Sequence, residues 1–161
     1  MTNRQFLTST TAALLMGCAA LVATGGPGRT QDASLNAAIE AFDMAIGTLD
    51  WAKMEPLWAR DNYVSLILPE SRAVAIGPEA VKQSFSAEFG ALAELKITHP
   101  EAPHVHIKAD TAWVTGLTIG KGKTKSGFAF DEPTFDEAIY ERRDGKWLLV
   151  AKTALRMATP K

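Results

Sequence analysis

The sequence predicts one α+β domain in which N-terminal helices pack on one face of an antiparallel sheet. Apolar residues recur every three or four positions in residues 35–49 and again in residues 81–92, which is the spacing of amphipathic helices. From residue 94 onward the pattern changes to short strands. Helices followed by a run of strands are typical of an antiparallel sheet that carries its helices on one face.

The helical part contains three predicted helices. Ser34 is the expected N-cap of the first helix, and Asp50 is the expected cap of a short second one. Pro78 opens the third helix, because proline suits the first helical position. Residues 62–68, before the third helix, form a β-rich run.

Six strands are predicted after the helices, and the last two flank Asp144-Gly145. This dipeptide predicts a tight hairpin, because both loop positions of a type I′ turn need a positive φ. The basic run 120–125 is expected to be a solvated connection, since its glycines lie between two strand patterns. The six predicted strands are 94–98, 103–108, 111–119, 127–130, 134–143 and 146–157.

The last strand leaves one question open. Trp147, Leu149, Ala151 and Leu155 alternate along it and are expected to share a buried face. If the opposite face lines the interior instead, Lys152 and Arg156 point inward, and a desolvated lysine there is functional.

Residues 1–25 have the layout of a secretory signal peptide. A short segment with Arg4 precedes an apolar run over residues 12–23, and a polar exit follows. The run is too short to cross a membrane, which takes about 20 residues. Residues 26–33 are the expected linker and residues 34–159 the expected domain. The alternative is a buried N-terminal helix or an uncleaved anchor.

Cys18 is the only cysteine and lies inside this signal. Together with Leu15-Met16-Gly17 it resembles a bacterial lipobox, so Cys18 is a lipidation candidate, with ordinary cleavage after Ala23 or Gly25 as the alternative. We expect an extracytoplasmic protein, in the periplasm or cell envelope, that meets a membrane only through its signal or a lipid anchor.

Charge and residue types exclude several kinds of partner. The chain has 17 basic and 18 acidic residues, a net charge of −1, and so no basic surplus for nucleic acid. His104 and His106 share one face of a strand, but no third ligand is placed near them. We therefore expect these histidines and His99 to be solvated, with no metal and no cofactor bound.

Four motifs in order resemble the nuclear transport factor 2-like superfamily, in its SnoaL-like branch, which includes ketosteroid isomerase. They are Leu49-Asp50-Trp51 with Leu57-Trp58-Ala59-Arg60-Asp61, the segment 75–81, the segment 110–114 and the segment 140–147. The resemblance implies three helices on a curved sheet, forming a cone whose mouth holds a small apolar ligand.

The resemblance to ketosteroid isomerase does not extend to its proton-handling groups. Alignment places Leu66 at the base, Phe42 at the tyrosine and Ala138, with Glu137 beside it, at the acid. Leucine and phenylalanine neither accept nor donate a proton, so isomerase chemistry is not expected. Other carboxylates that can form an acid–base pair are expected in surface or capping roles: Asp43, Asp61, Asp136, Glu137 and Glu141.

Core-facing side chains are expected to line the cone, and Tyr140 is the most useful of them because its hydroxyl can orient a ligand. The predicted lining is Phe42, Trp58, Leu66, Phe85, Phe89, Trp113 and Tyr140.

Two functions follow from these features, and catalytic residues stay unknown at this stage. The first is binding of a small apolar molecule or a protein partner. The alternative is a SnoaL-like lyase, isomerase or hydrolase that acts on a small cyclic substrate. Two ionisable groups that converge in the cone favour the enzyme. Leu148 and Val150 add apolar residues to the outer sheet face, which predicts a homodimer.

Overall fold

The computed structural model describes residues 32–157, which combine three helices with a seven-stranded sheet. The helices are α1 (Ala33–Ile46), α2 (Trp51–Met54, continued by a 3-10 turn at Glu55–Leu57) and α3 (Pro78–Ala91). The strands are β1 (Ser65–Ile67), β2 (Ala75–Ile76), β3 (Leu92–Thr98), β4 (His104–Lys108), β5 (Thr111–Thr124), β6 (Ala129–Arg143) and β7 (Lys146–Arg156). None of the described helices is long and apolar enough to cross a membrane.

The sheet runs in the order β2-β1-β7-β6-β5-β3, and β4 pairs with the first part of β5. All pairs are antiparallel except β1 with β7, so the sheet is mostly antiparallel with one parallel pair. The helices pack on one face of this open, curved sheet, and the predicted α+β class is confirmed.

Local chemistry sets most of the helix ends. The Asp50 carboxylate accepts the Ala52 amide at 2.9 Å and caps α2, as predicted. Gly77, at φ 86°, precedes Pro78 at the start of α3, also as predicted. The Ser34 cap is wrong: Asp32 is the N-cap of α1, so the helix begins inside the predicted linker 26–33.

The predicted hairpin at Asp144-Gly145 is confirmed. Asp144 has φ 50° and Gly145 has φ 76°, the positive values that a type I′ turn requires. This turn joins the two strands that form most of the concave inner face.

Residues 120–124 of the basic run belong to β5, and Lys125 begins the turn that follows, so the run is not a solvated connection as predicted. Its glycines face the interior while Lys121 and Lys123 face solvent, where Lys121 lies 2.9 Å from Asp131. A Cβ at Gly122 would lie 2.6 Å from the Phe130 ring. The alternation of glycine and lysine is therefore the two-residue period of a strand, and at Gly122 its inner side has no room for a side chain.

Two further strand predictions need correction. The predicted strands 127–130 and 134–143 form one continuous strand, β6. The β-rich run 62–68 contributes only the three residues of β1, because turn residues precede them.

A β-bulge decides which side of β7 faces the cone. Tyr140 pairs with Leu149 and Ile139 with Ala151, so Val150 is an extra residue in β7. The inward positions therefore change from Trp147 and Leu149 to Val150, Lys152, Ala154 and Arg156. The expected common buried face is wrong beyond the bulge, and Leu155 is 53% exposed.

An aromatic cluster forms the centre of the core. The Phe85 ring contacts the rings of Phe42, Trp51, Trp58 and Phe89, with centroid distances between 5.5 and 6.5 Å. This cluster fixes α1 and α3 to each other above the concave face of the sheet.

Candidate functional site

The concave face and the helices enclose a cavity of about 310 Å³, called here the large cavity. Ligand pockets in proteins run from about 300 to 1,000 Å³, so the volume suits a small molecule. The space exists because small residues, among them Gly120 and Ala154, occupy inward positions of the sheet. The apolar lining includes Leu68, Leu92, Leu95, Ile97, Phe128 and Phe130.

A second space of about 20 Å³, the small cavity, adjoins the large one. The two share five lining residues: Phe42, Asp43, Thr118, Asp136 and Lys152. Two polar side chains, those of His99 and Tyr140, line the small cavity and not the large one. The polar groups of the cone therefore meet where the two cavities join.

Asp43 and His99 form the first polar pair of the site. Asp43 lies on α1, His99 follows the end of β3, and His99 Nε2 is 2.7 Å from Asp43 Oδ2. Both side chains are largely buried. Burial raises the pKa of Asp43, and the hydrogen bond and charge of His99 oppose that rise.

Lys152 and Asp136 form the second pair, on the sheet side of the cone. The Lys152 ammonium donates to Asp136, and each side chain is less than 15% exposed (13% and 14%). The other Asp136 oxygen accepts the Thr134 hydroxyl at 3.0 Å, and Thr134 contacts the Thr118 hydroxyl at 2.7 Å. This chain links β5, β6 and β7 and holds the lysine in place.

Tyr140 completes the small cavity. Its side chain is 4% exposed and lies between the two pairs. Burial raises the pKa of Tyr140, and the charges of Asp43 and Asp136 raise it further. The hydroxyl therefore keeps its proton and is a hydrogen-bond donor at neutral pH.

Carboxylates surround one guanidinium at another part of the large cavity. Arg156 contacts Glu70 and lies 2.9 Å from Glu132. Burial raises the pKa of the nearby Glu88, the charges of Glu70 and Glu132 raise it further, and Arg156 opposes them. This part of the lining is more acidic than basic.

Three of the predicted lining residues border these cavities. Phe42 lines both, Phe85 lines the large one, and Tyr140 lines the small one. That they bind a ligand stays a prediction.

The other four predicted lining residues do not border either cavity. Leu66 and Phe89 pack in the core, and Trp58 packs there beside a separate cleft at the start of α3. Trp113 is 38% exposed, because its odd-numbered position on β5 faces the outer side of the sheet.

None of the three positions aligned with the proton-handling groups of ketosteroid isomerase carries an ionisable side chain. Phe42 and Ala138 line the cone with apolar surface, and Leu66 is fully buried. Glu137, the neighbour of Ala138, is exposed and borders a groove on the outer face.

The expected surface or capping role holds for some carboxylates and is wrong for others. Asp61 and Glu141 both pair with Arg143, away from the cone. Asp43 and Asp136 lie inside it, which the sequence analysis missed. For Asp43 the signal was present: it follows Ile39 by four positions and so falls on the apolar stripe of α1.

The solvated state expected of the histidines holds for two of the three. His104 and His106 are exposed on β4. His99 is not, because it follows β3 into the cone, where its Nε2 lies 2.7 Å from Asp43 Oδ2.

Comparison with known proteins identifies the fold. The chain matches the SnoaL-like domain family over residues 35–153. A comparison with curated proteins finds no significant match.

Solved structures similar to the chain share its fold at low sequence identity. A candidate calcium/calmodulin-dependent protein kinase II association domain from Xanthomonas campestris has a TM-score of 0.71 and 22% identity, covering 83% of this chain and 93% of that one. A candidate dehydratase of the NTF2-like family from Streptomyces avermitilis has a TM-score of 0.70 and 20% identity, covering 78% and 96%. An NTF2-like superfamily protein from Salmonella enterica has a TM-score of 0.72 and 12% identity, covering 79% and 91%.

The raised pKa of Glu88 leads to a prediction about stability and pH. A carboxyl group whose pKa is raised by folding favours the folded state at low pH, and that contribution is lost as pH rises through the folded-state pKa. We expect Glu88→Gln, which cannot ionise, to raise the melting temperature relative to the wild type at neutral pH. The difference should shrink as the pH falls below the ordinary glutamate range.

Thermal melts from acidic to neutral pH measure this difference. Glu137→Gln, on the outer face, is the matched control and should leave the melting temperature nearly unchanged. A Glu88→Gln protein that melts below the wild type at neutral pH would contradict the prediction.

Proposed function

The chain belongs to the SnoaL-like domain family, and from this premise we propose that it is a lyase or isomerase that moves protons on a small cyclic substrate. The observation that carries the proposal is the Asp43–His99 pair at 2.7 Å in the wall of the cone. Ionisable groups that converge in a pocket favour catalysis over simple binding. A purely apolar lining would favour binding alone, but the lining of this cone contains ionisable side chains.

His99 is the proposed general base. Its Nε2–H donates to Asp43, which leaves Nδ1 with a lone pair that accepts a proton. The carboxylate fixes the orientation of the ring and stabilises the imidazolium that forms. Such a positioned base typically contributes a rate factor of about 10² to 10⁴.

Lys152 is the proposed electrostatic partner of the base. Its ammonium borders the same small cavity, held by Asp136. When His99 takes a proton from carbon next to a carbonyl group, the C–H electron pair moves into the enolate and negative charge develops on oxygen. An ammonium fixed in a largely water-excluded site stabilises that charge.

Two outcomes of this step balance in atoms and charge. In isomerisation the substrate is a β,γ-unsaturated ketone, and the imidazolium returns its proton to the γ-carbon of the dienolate, which shifts the double bond into conjugation. In elimination the enolate expels hydroxide from the neighbouring carbon, and the imidazolium proton converts it to water. The dehydratase description of the Streptomyces avermitilis relative supports the second outcome.

The cone supports a small substrate with an apolar body. The large cavity holds about 310 Å³ and presents mostly leucine, isoleucine and phenylalanine side chains. Steroid isomerisation is not expected, because Phe42, Leu66 and Ala138 occupy the positions of the isomerase groups and cannot exchange protons.

Replacement of the proposed base should abolish the activity. The probes are 3-hydroxycyclohexanone, whose dehydration to 2-cyclohexenone is followed by ultraviolet absorbance, and cyclohexanone, whose α-hydrogen exchange in D₂O is followed by NMR. We expect His99→Gln to lower kcat/KM by about 10² to 10⁴. Asp43→Asn should lower it as well, since the imidazolium loses the negative charge that stabilises it.

The matched control is His106→Gln, which removes an exposed histidine from β4 and should leave the rate unchanged. Equal rates in wild type and His99→Gln would overturn the assignment of the base. A wild-type protein that neither dehydrates nor exchanges these ketones would count against the enzyme and in favour of binding alone.

Export is a second part of the proposal and rests on sequence alone, since residues 1–25 and Cys18 lie outside the described residues. We expect the first 17 to 25 residues to be removed in the native host and the mature protein to be extracytoplasmic. Intact-mass analysis of the native protein measures this. A chain that begins at Met1 would exclude export by cleavage, and a diacylglyceryl group on Cys18 would identify a lipoprotein.

We also propose a homodimer through the outer sheet face. The expected outer-face position of Val150 is wrong, because it is buried in the core, and Leu148 packs against that core. The outer face instead carries Leu117, Phe135 and Leu155, paired neighbours on β5, β6 and β7, of which Phe135 and Leu155 are 58% and 53% exposed. A contiguous exposed apolar row of this kind marks an interaction surface. A second copy suits it because the same row on the partner is complementary by symmetry.

Phe135→Glu should convert the dimer to a monomer, because it places two charges in the interface. Light scattering at micromolar concentration measures the mass. Phe128→Glu, an equally exposed phenylalanine at the cavity, is the control and should stay dimeric. A wild-type mass equal to one chain would rule the dimer out.

A further inference from the structure

The Tyr140 hydroxyl takes no part in the roles proposed above for His99 and Lys152. Its surroundings indicate a separate role. No other described residue forms a hydrogen bond with it, although 96% of the side chain is buried (4% exposed). Among the described residues, the fully buried side-chain nitrogen and oxygen atoms that lack a hydrogen-bond partner are the indole nitrogens of Trp51 and Trp58. The Tyr140 hydroxyl is not one of them, so it opens onto the small cavity.

The small cavity has room for about one atom. A water molecule needs roughly 10–15 Å³ of such space, and this cavity offers about 20 Å³. The wall of the cavity is tightly packed at Gly116, where an added Cβ would lie 3.3 Å from Pro103. A substrate body therefore stays in the large cavity, and a single substituent enters the small one.

We propose that the small cavity is an oxygen subsite, in which the Tyr140 hydroxyl donates a hydrogen bond to the carbonyl oxygen of a neutral cyclic ketone. The proposal deepens the proposed function and rests on it, since it names the substrate class of the same site. The donor stays protonated between two carboxylates, and its hydrogen bond strengthens as the oxygen gains negative charge.

The charges around the subsite select a neutral oxygen. Asp43 and Asp136 both border the small cavity, while Lys152 is already paired with Asp136. Because the Lys152 ammonium offsets Asp136, Asp43 is the uncompensated charge, and a carboxylate or phosphate substituent would meet that like charge, whereas a ketone meets none until its α-proton leaves. At that moment the proton on His99 offsets the charge of Asp43.

The test compares two ligands with the same body, 1-tetralone and tetralin, which differ by the carbonyl oxygen. Binding is measured by tryptophan fluorescence in wild type, Tyr140→Phe and Tyr63→Phe. Tyr63 is the other tyrosine of the chain, is 53% exposed, and serves as the matched control. Infrared spectra of the bound ketone give a second readout of a hydrogen bond to its carbonyl oxygen.

We expect the wild type to bind 1-tetralone about tenfold more tightly than tetralin. Tyr140→Phe should remove that preference, leave the affinity for tetralin unchanged and return the carbonyl stretch toward its value in an apolar solvent. Tyr63→Phe should behave as the wild type does. Equal binding of the two ligands by the wild type, no binding of either, or an equal loss of both in Tyr140→Phe would overturn the subsite.

Deuterium exchange at the α-carbon of 1-tetralone separates this proposal from the one it rests on. If wild type and Tyr140→Phe exchange at the same rate and bind the ketone equally, the subsite fails and the enzyme stands. If the ketone preference depends on Tyr140 but His99→Gln exchanges as fast as the wild type, the subsite stands and the proposed base fails.

Discussion

A charged group that the cone buries must find its partner inside the cone, and the arrangement of the site depends on that constraint. An isolated buried carboxylate loses its hydration and costs several kcal/mol unless it is paired. Asp43 lies on the apolar stripe of α1 and is paired with His99, while Asp136 is paired with Lys152. The Asp43–His99 pair joins α1 to the segment after β3, and the Asp136–Lys152 pair joins the neighbouring strands β6 and β7, so the first pair also ties the helix layer to the sheet.

The same cone-shaped fold can carry different chemistry, because the positions that hold proton-transferring side chains can change while the walls of the cone stay the same. Where ketosteroid isomerase is expected to place a base and two donors, this chain has Leu66, Phe42 and Ala138. Ionisable groups stand instead at neighbouring positions, one helical step along α1 at Asp43 and two strand positions along β6 at Asp136 and Tyr140. A shared fold does not fix function, and only residue-by-residue placement distinguishes these cases.

The sequence predicted those features that local chemistry decides. The Asp144-Gly145 turn, the Asp50 cap and the Pro78 helix start each follow from the backbone angles or hydrogen bonds that one or two residues impose. Which side of β7 faces the cone beyond Val150 was not predictable in this way. A bulge has no reliable local signature, and a shift of one residue exchanges the two faces of a strand, which is why Lys152 stayed ambiguous.

The candidate site was harder to predict than the fold for a similar reason. His99 meets Asp43 only because the chain turns into the cone after β3, and no spacing rule relates two residues that far apart. The glycines of residues 120–125 suggested a loop, because the sequence does not show that Gly120 borders a cavity on the inner face of a strand or that Gly122 makes room for the Phe130 ring.

The hydrogen bond between Asp43 and His99, on which the proposed chemistry depends, is tested most directly by ¹⁵N NMR of the His99 imidazole nitrogens in the neutral ring. The account predicts a proton on Nε2 that is shifted downfield by its hydrogen bond, an unprotonated Nδ1, and loss of the downfield shift in Asp43→Asn. A proton on Nδ1, or a His99 spectrum that Asp43→Asn leaves unchanged, would contradict it.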